Sequence, residues 1–195
     1  ENGPLLIVAN HLHNIDPPLL SASLGLKIVF MAKQELFDAP IMGRIVRAWG
    51  AFPVRRNTGS GKAVRKALDV LGKGQVLGMF PEGRRSQNHL LSQAELGAAL
   101  IALRAGVPIL PVGIIGTEQI KGVGFIFRRP RITVTIGQPF SLLMIEGKVE
   151  RHQLSETTDI IMRHIAQLLP EKRRGIYGDT QPSGKETMGS VKFAN

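Results

Sequence analysis

A chain of 195 residues with 43% apolar side chains is long enough to bury one real core, and its composition is that of a globular domain. Lys and Arg number 25 against 15 Asp and Glu, and the formal charge of +10 points to an anionic partner: nucleic acid, an anionic membrane surface or a phosphorylated substrate. With no Cys there is no disulfide framework, no thiolate nucleophile and no Cys-type zinc site.

The chain starts at Glu1, without an initiator Met or a signal peptide, so a longer parent with any membrane anchor ahead of Glu1 is expected. The apolar run Leu5-Leu6-Ile7-Val8-Ala9 reads as a short buried strand. Asp16-Pro17-Pro18 reads as a helix start, with Asp16 as N-cap and Pro at the first helical position; the helix covers 17–24 and is closed by Gly25. A strand over 27–32 follows. A helix over 40–49 carries the apolar stripe Ile41, Ile45 and Ala48, with Arg44 and Arg47 off it. Residues 51–54 form a short strand, which Pro53 assigns to a sheet edge or a strand end.

A helix over 60–71 presents Val64, Leu68 and Leu71 on one face, and a strand over 75–80 ends at Pro81. Residues 96–116 hold Arg104 as their only charge. Gly106, Pro108 and Pro111 break this stretch into the end of a helix over 93–105 and a strand over 108–115, both too short to span a bilayer. A strand over 131–136 and an amphipathic helix over 155–169, with a capping-box-like Ser155, complete the pattern. From Gly178 the composition is that of a mobile tail. The expectation is a single α/β domain over 1–177, with a mainly parallel or mixed central sheet flanked by helices, and a tail over 178–195.

Chemistry concentrates where strands end, as it does in open α/β sheets. Asn10-His11-Leu12-His13-Asn14-Ile15-Asp16 leaves the first strand. Four residues separate His11 from Asp16, enough for a turn to bring the carboxylate back to the imidazole. Such a pair is a general base, because Asp fixes the tautomer and stabilises the imidazolium that forms. The competing interpretation makes Asp16 a cap and both histidines loop polars. Phe80-Pro81-Glu82-Gly83-Arg84-Arg85-Ser86 also follows a strand. It places Glu82 and Arg85 at the strand's carboxyl end, with Gly83 permitting close backbone approach. A third strand ends in Arg55 and Arg56, whose planar forks suit phosphate.

Two other patterns match known motifs only in part, and the first is rejected. Residues 58–63 are similar to the end of a P-loop, but Arg56 stands where the first Gly belongs and Ala63 where Ser or Thr belongs. His11-x-His13-x-x-Asp16 is similar to the metal cluster of metallo-β-lactamase-like hydrolases, with the acid shifted by one residue and the following His absent. A metal-dependent hydrolase therefore stays as an alternative. No Gly-x-Ser-x-Gly elbow exists, so a covalent acyl-enzyme is not expected.

Four stretches in order resemble the glycerolipid acyltransferases, the 1-acylglycerol-3-phosphate acyltransferase family. Asn10, His11 and Asp16 match the first motif, Gly50 to Arg56 the second, Phe80 to Ser86 the third except at one position, and Val107 to Val112 the fourth. Pro170 to Tyr177 is similar to the family's closing segment. The resemblance implies acyl transfer from acyl-CoA or acyl carrier protein to a lysophospholipid, without metal or cofactor. His11 would be the base and Asp16 its partner. Arg56, Arg55, Glu82, Gly83 and Arg85 would bind substrate, and Pro111 would shape the site. It further implies association with an anionic membrane surface on the cytoplasmic face. Arg84 replaces the family's usual Thr, Arg55 a frequent Asp and Glu95 a frequent Lys. A different class, a non-catalytic basic module, would bind membrane or nucleic acid. Nucleic acid is disfavoured because one Trp, one Tyr and eight Phe, mostly inside apolar runs, offer little for stacking.

Overall fold

The computed structural model describes residues 3–40, 42–54, 61–120 and 129–178. Strand β1 (Leu5–Ala9) lies inside a six-stranded sheet, between β4 (Val76–Met79) and β5 (Ile109–Ile115), parallel to both. Its unbroken apolar sequence is what a parallel inner strand needs, since both faces are covered. Beyond β4 lie β2 (Ile28–Lys33) and then β3 (Phe52–Val54), also parallel; beyond β5 lies the antiparallel β6 (Thr133–Ile136). The sheet is therefore mixed, and β3 with its Pro53 is an edge strand, where a missing N–H costs no ladder bond.

Alternate residues of β1 enter different cores. Leu6 and Val8 join the larger one with helices α4 (Gly61–Gly72), α5 (Gly97–Ala105) and α6 (Arg151–Gln167). Ile7 and Ala9 join the smaller one, beneath Leu20 of helix α1 (Asp16–Leu24), with Ile28, Phe30 and Val112. Val8 is paired with Met79, so β1 and β4 end side by side and their following loops leave the same sheet edge. That adjacency positions the site.

Several boundaries differ from expectation. Helix α2 (Gln34–Asp38) was not foreseen, and helix α3 covers only Met42–Ala48. On α3 Gly43 and Val46 are buried, while Ile45 is half-buried and Ala48 exposed, so the expected stripe is rotated. Ile41 lies outside the described residues. Helix α5 starts at Gly97, four residues later than expected; in the stretch before it Ser92 donates its N–H to Glu82 and Glu95 to the Pro81 carbonyl. Helix α6 starts at Arg151, and its capping box is Glu150 with Gln153, leaving Ser155 inside the helix. The tail expected from Gly178 lies, beyond that residue, outside the described residues.

Candidate active site

His11 follows β1 after one residue, and that residue anchors it. The Asn10 side chain donates to the Ile114 carbonyl at 2.8 Å and accepts from the Ile114 N–H at 2.7 Å, pairing with β5 as a strand backbone would. His11 is then gripped on every side but one. Its N–H donates to Glu82 Oε1 at 3.0 Å and its carbonyl accepts from the Ser86 N–H at 2.8 Å. Its ring stacks on Phe80, with centroids 4.1 Å apart, and Phe80 stacks in turn on Phe30. Its Nδ1 lies 2.8 Å from Asp16 Oδ2. The side chain is 17% exposed, and Nε2 has no hydrogen-bond partner among the described residues.

Asp16 is not the N-cap. It is the first helical residue of α1, and Ile15 occupies the cap position without a side-chain cap bond. Its carboxylate is turned back into the loop. Oδ2 accepts from the N–H groups of Leu12 and His13, both at 2.7 Å, besides facing the imidazole. The group is fully buried. An acceptor already holding two amide protons fixes the third contact as a donor, so Nδ1 carries the proton and the lone pair of the neutral ring sits on Nε2. That arrangement can take a proton from a hydroxyl placed against Nε2.

Glu82 sits inside. It is 3% exposed, with Oε1 on the His11 N–H and Oε2 accepting from both the N–H (3.1 Å) and hydroxyl (2.7 Å) of Ser92. Gly83 adopts φ +64°, and a Cβ there would meet Glu95 Cγ at 3.2 Å. Arg84 and Arg85 are exposed on the same turn. Pro111 stands apart from these residues, inside β5 opposite Val8 and close to Gly137 and Leu168. Arg55 and Arg56 lie outside the described residues. His13 is half-buried, with Nδ1 accepting a long bond, 3.4 Å, from the Ile15 N–H. Sequence reasoning missed Ser92 and the role of the Asn10 amide. Ser92 has no spacing signal, whereas Asn10 directly precedes the histidine.

Among the described residues no three His, Cys, Asp or Glu side chains are grouped so as to hold a metal, and no helix is long and apolar enough to cross a membrane. The sequence model of the acyltransferase family matches residues 1–115, the segment that carries the four ordered motifs described above. The chain belongs to the acyltransferase family. Within this acyltransferase family, the 1-acyl-sn-glycerol-3-phosphate acyltransferase of Streptococcus pneumoniae is 33% identical over 180 residues, 91% of this chain and 65% of that protein. A lyso-ornithine lipid O-acyltransferase of Pseudomonas aeruginosa is 34% identical over 112 residues, 57% of this chain and 43% of that protein. The crystal structure of the 1-acyl-sn-glycerophosphate (LPA) acyltransferase PlsC from Thermotoga maritima superposes with a TM-score of 0.62 at 26% identity, covering 86% of this chain and 67% of that one. The chain thus spans less than two thirds of the length of the two curated relatives.

Proposed function

We propose that this chain transfers a fatty acyl group from acyl-CoA or acyl carrier protein to the free hydroxyl of a lysophospholipid, 1-acyl-glycerol-3-phosphate, giving phosphatidic acid. The observation that carries this reading is the buried Asp16 carboxylate on His11 Nδ1, which leaves Nε2 as the basic nitrogen. The acceptor hydroxyl gives its proton to Nε2 while its oxygen attacks the thioester carbonyl. The tetrahedral intermediate collapses, the C–S bond breaks, and the departing thiolate takes the proton from the imidazolium. An ester and a thiol result, and His11 is regenerated. Glu82 orients His11 through its backbone. Arg56, with Arg55 and Arg85, holds the acceptor phosphate.

An apolar groove of about 360 Å³ between α1, β2 and α3 includes Phe30, which stacks on Phe80 beside His11. It offers an acyl chain a place separated from the base by the Phe30 and Phe80 rings. The reaction takes place at an anionic membrane surface, on the cytoplasmic face.

Thiol release from acyl-CoA is the direct test, because a chain without Cys adds no background. Release should depend on lysophosphatidic acid and vanish in His11→Ala. Release with water alone as acceptor would favour a hydrolase instead. Arg56→Ala should raise the KM for lysophosphatidic acid about ten- to a hundredfold, the equivalent of one charge-assisted hydrogen bond, and Arg56→Lys should recover only part. If wild type uses monoacylglycerol equally well and Arg56→Ala leaves that ratio unchanged, Arg56 does not hold the phosphate.

A further inference from the structure

The segment after α6 contacts the catalytic loop's support rather than the loop itself. Arg173 makes three long-range connections. Its carbonyl accepts from the Leu91 N–H at 2.9 Å, and its Nη1 donates to the His89 carbonyl at 3.3 Å. Its Nη2 donates to Glu118 Oε1 at 2.7 Å, while Glu118 Oε2 accepts from the Gly116 N–H at 2.7 Å. The guanidinium therefore ties His89 to the end of β5, while the backbone carbonyl of the same residue holds Leu91. Glu118 is 6% exposed, so the pair is largely shielded from solvent.

Residues 86–92 in turn hold the histidine. Ser92 donates twice to Glu82, which holds the His11 N–H, and Ser86 donates its N–H to the His11 carbonyl while its hydroxyl donates to the Leu90 carbonyl. This connection is bent: His89 sits at φ +62°, a conformation a non-glycine residue rarely adopts without support. Asn10, Glu82, His89 and Arg173 all line one small cavity of about 10 Å³. Two further contacts press the closing segment onto the same place. Gly175, at φ +54°, packs directly against the Leu91 carbonyl, and Tyr177 is buried with its hydroxyl bonded to the Ala94 backbone.

We infer that Arg173 is a positioning residue for His11: its side-chain bridge between Glu118 and the His89 carbonyl fixes the support through which Glu82 orients the base. The inference rests on the reading of His11 as general base. Arg173 touches neither His11 nor Asp16, and it acts through backbone carbonyls, Ser92 and Glu82.

The test compares the full chain with Arg173→Ala, Arg173→Lys and Gly175→Ala. Three readouts are needed: kcat and KM with acyl-CoA and lysophosphatidic acid, the solvent exchange of the His11 Nδ1 proton by NMR, and the melting temperature. A misplaced catalytic group loses rate rather than affinity, so Arg173→Ala should lower kcat about tenfold or more with KM changed by less than about twofold. The Nδ1 proton should exchange about tenfold faster as the support opens locally. Arg173→Lys keeps the charge facing Glu118 but loses the fork, and should recover part of both effects. Gly175→Ala leaves the ion pair in place and wedges against Leu91, so it should show the same signature. The inference is overturned if kcat and proton exchange match wild type in the folded variants, or if the loss of rate equals the fraction of unfolded protein. A wild type that transfers no acyl group would defeat the proposed function, yet the exchange comparison would still decide whether Arg173 steadies His11.

Discussion

A carboxylate oxygen that accepts from Leu12, His13 and His11 makes Asp16 both a strut of its loop and the partner of the ring. Two substitutions separate these roles. Asp16→Ala strands two N–H groups, each costing about 1–3 kcal/mol, and should lower stability as well as activity in thermal and kinetic assays. Asp16→Asn keeps an oxygen for the amides but loses the charge. It should melt close to wild type while kcat falls by about 10²-fold or more, the scale of general-base catalysis. Full activity in Asp16→Asn would remove the carboxylate from the chemistry. The pair was legible in the sequence because a strand end, a helix start and four intervening residues constrain it. Glu82 was not legible as an inward-facing residue: its two oxygens are used by His11 and Ser92, and no pattern around Phe80-Pro81-Glu82 distinguishes that from an outward carboxylate. A different residue answers to pH. Burial lowers the pKa of His164, which stacks on Phe140. The folded chain then keeps the ring neutral while the unfolded chain takes up a proton from about pH 6.5 downward. Its contribution is complete above that pH and is lost as pH falls through the folded value. Wild type should therefore lose melting temperature relative to His164→Phe between about pH 7.5 and about pH 5, and parallel curves would show no linkage.

Elements transmit strain that single residues create. Gly78, in β4, faces the Phe30 ring and Ile28, and a Cβ there would overlap both. Phe30 leans on Phe80 and Phe80 on His11. Gly78→Ala should destabilise by about 1–3 kcal/mol, as overpacking does, and should lower kcat by tilting that stack; denaturant unfolding and kinetics on one preparation would check both. An unchanged kcat in the destabilised variant would show that the stack does not reach the base. The sequence revealed β1, β4 and β5 through unbroken apolar runs, because parallel inner strands are covered on both faces. It misplaced α5 and α6 at their starts for a different reason. Residues 92–95 are held by tertiary bonds to Glu82 and to the Pro81 carbonyl, and Glu150 caps where Ser155 looked better suited. Propensity cannot anticipate a tertiary acceptor.

At the scale of the whole molecule, the charge of +10 predicts how the chain meets a lipid surface. Binding to anionic vesicles should fall as salt rises, because exposed charges are screened beyond about 10 Å at 0.1 M. Sedimentation with anionic and neutral vesicles across a salt series measures this. Equal binding to both at every salt concentration would assign the association to apolar contact alone. The sheet order has another consequence, in time rather than space. β1 comes before all its sheet partners in the chain, yet it pairs only with β4 and β5, starting at Val76 and Ile109. Loop closure over such separations is slow. A growing polypeptide therefore carries a wholly apolar β1 unpaired until residues near Met79 have emerged, and open along its other edge until those near Ile115 follow, a stretch for chaperones to shield. Only then can Asn10 grip Ile114. A ribosome-bound or nicked fragment that stops short of β5 holds both His11 and Asp16 but lacks the strand that anchors Asn10 beside them.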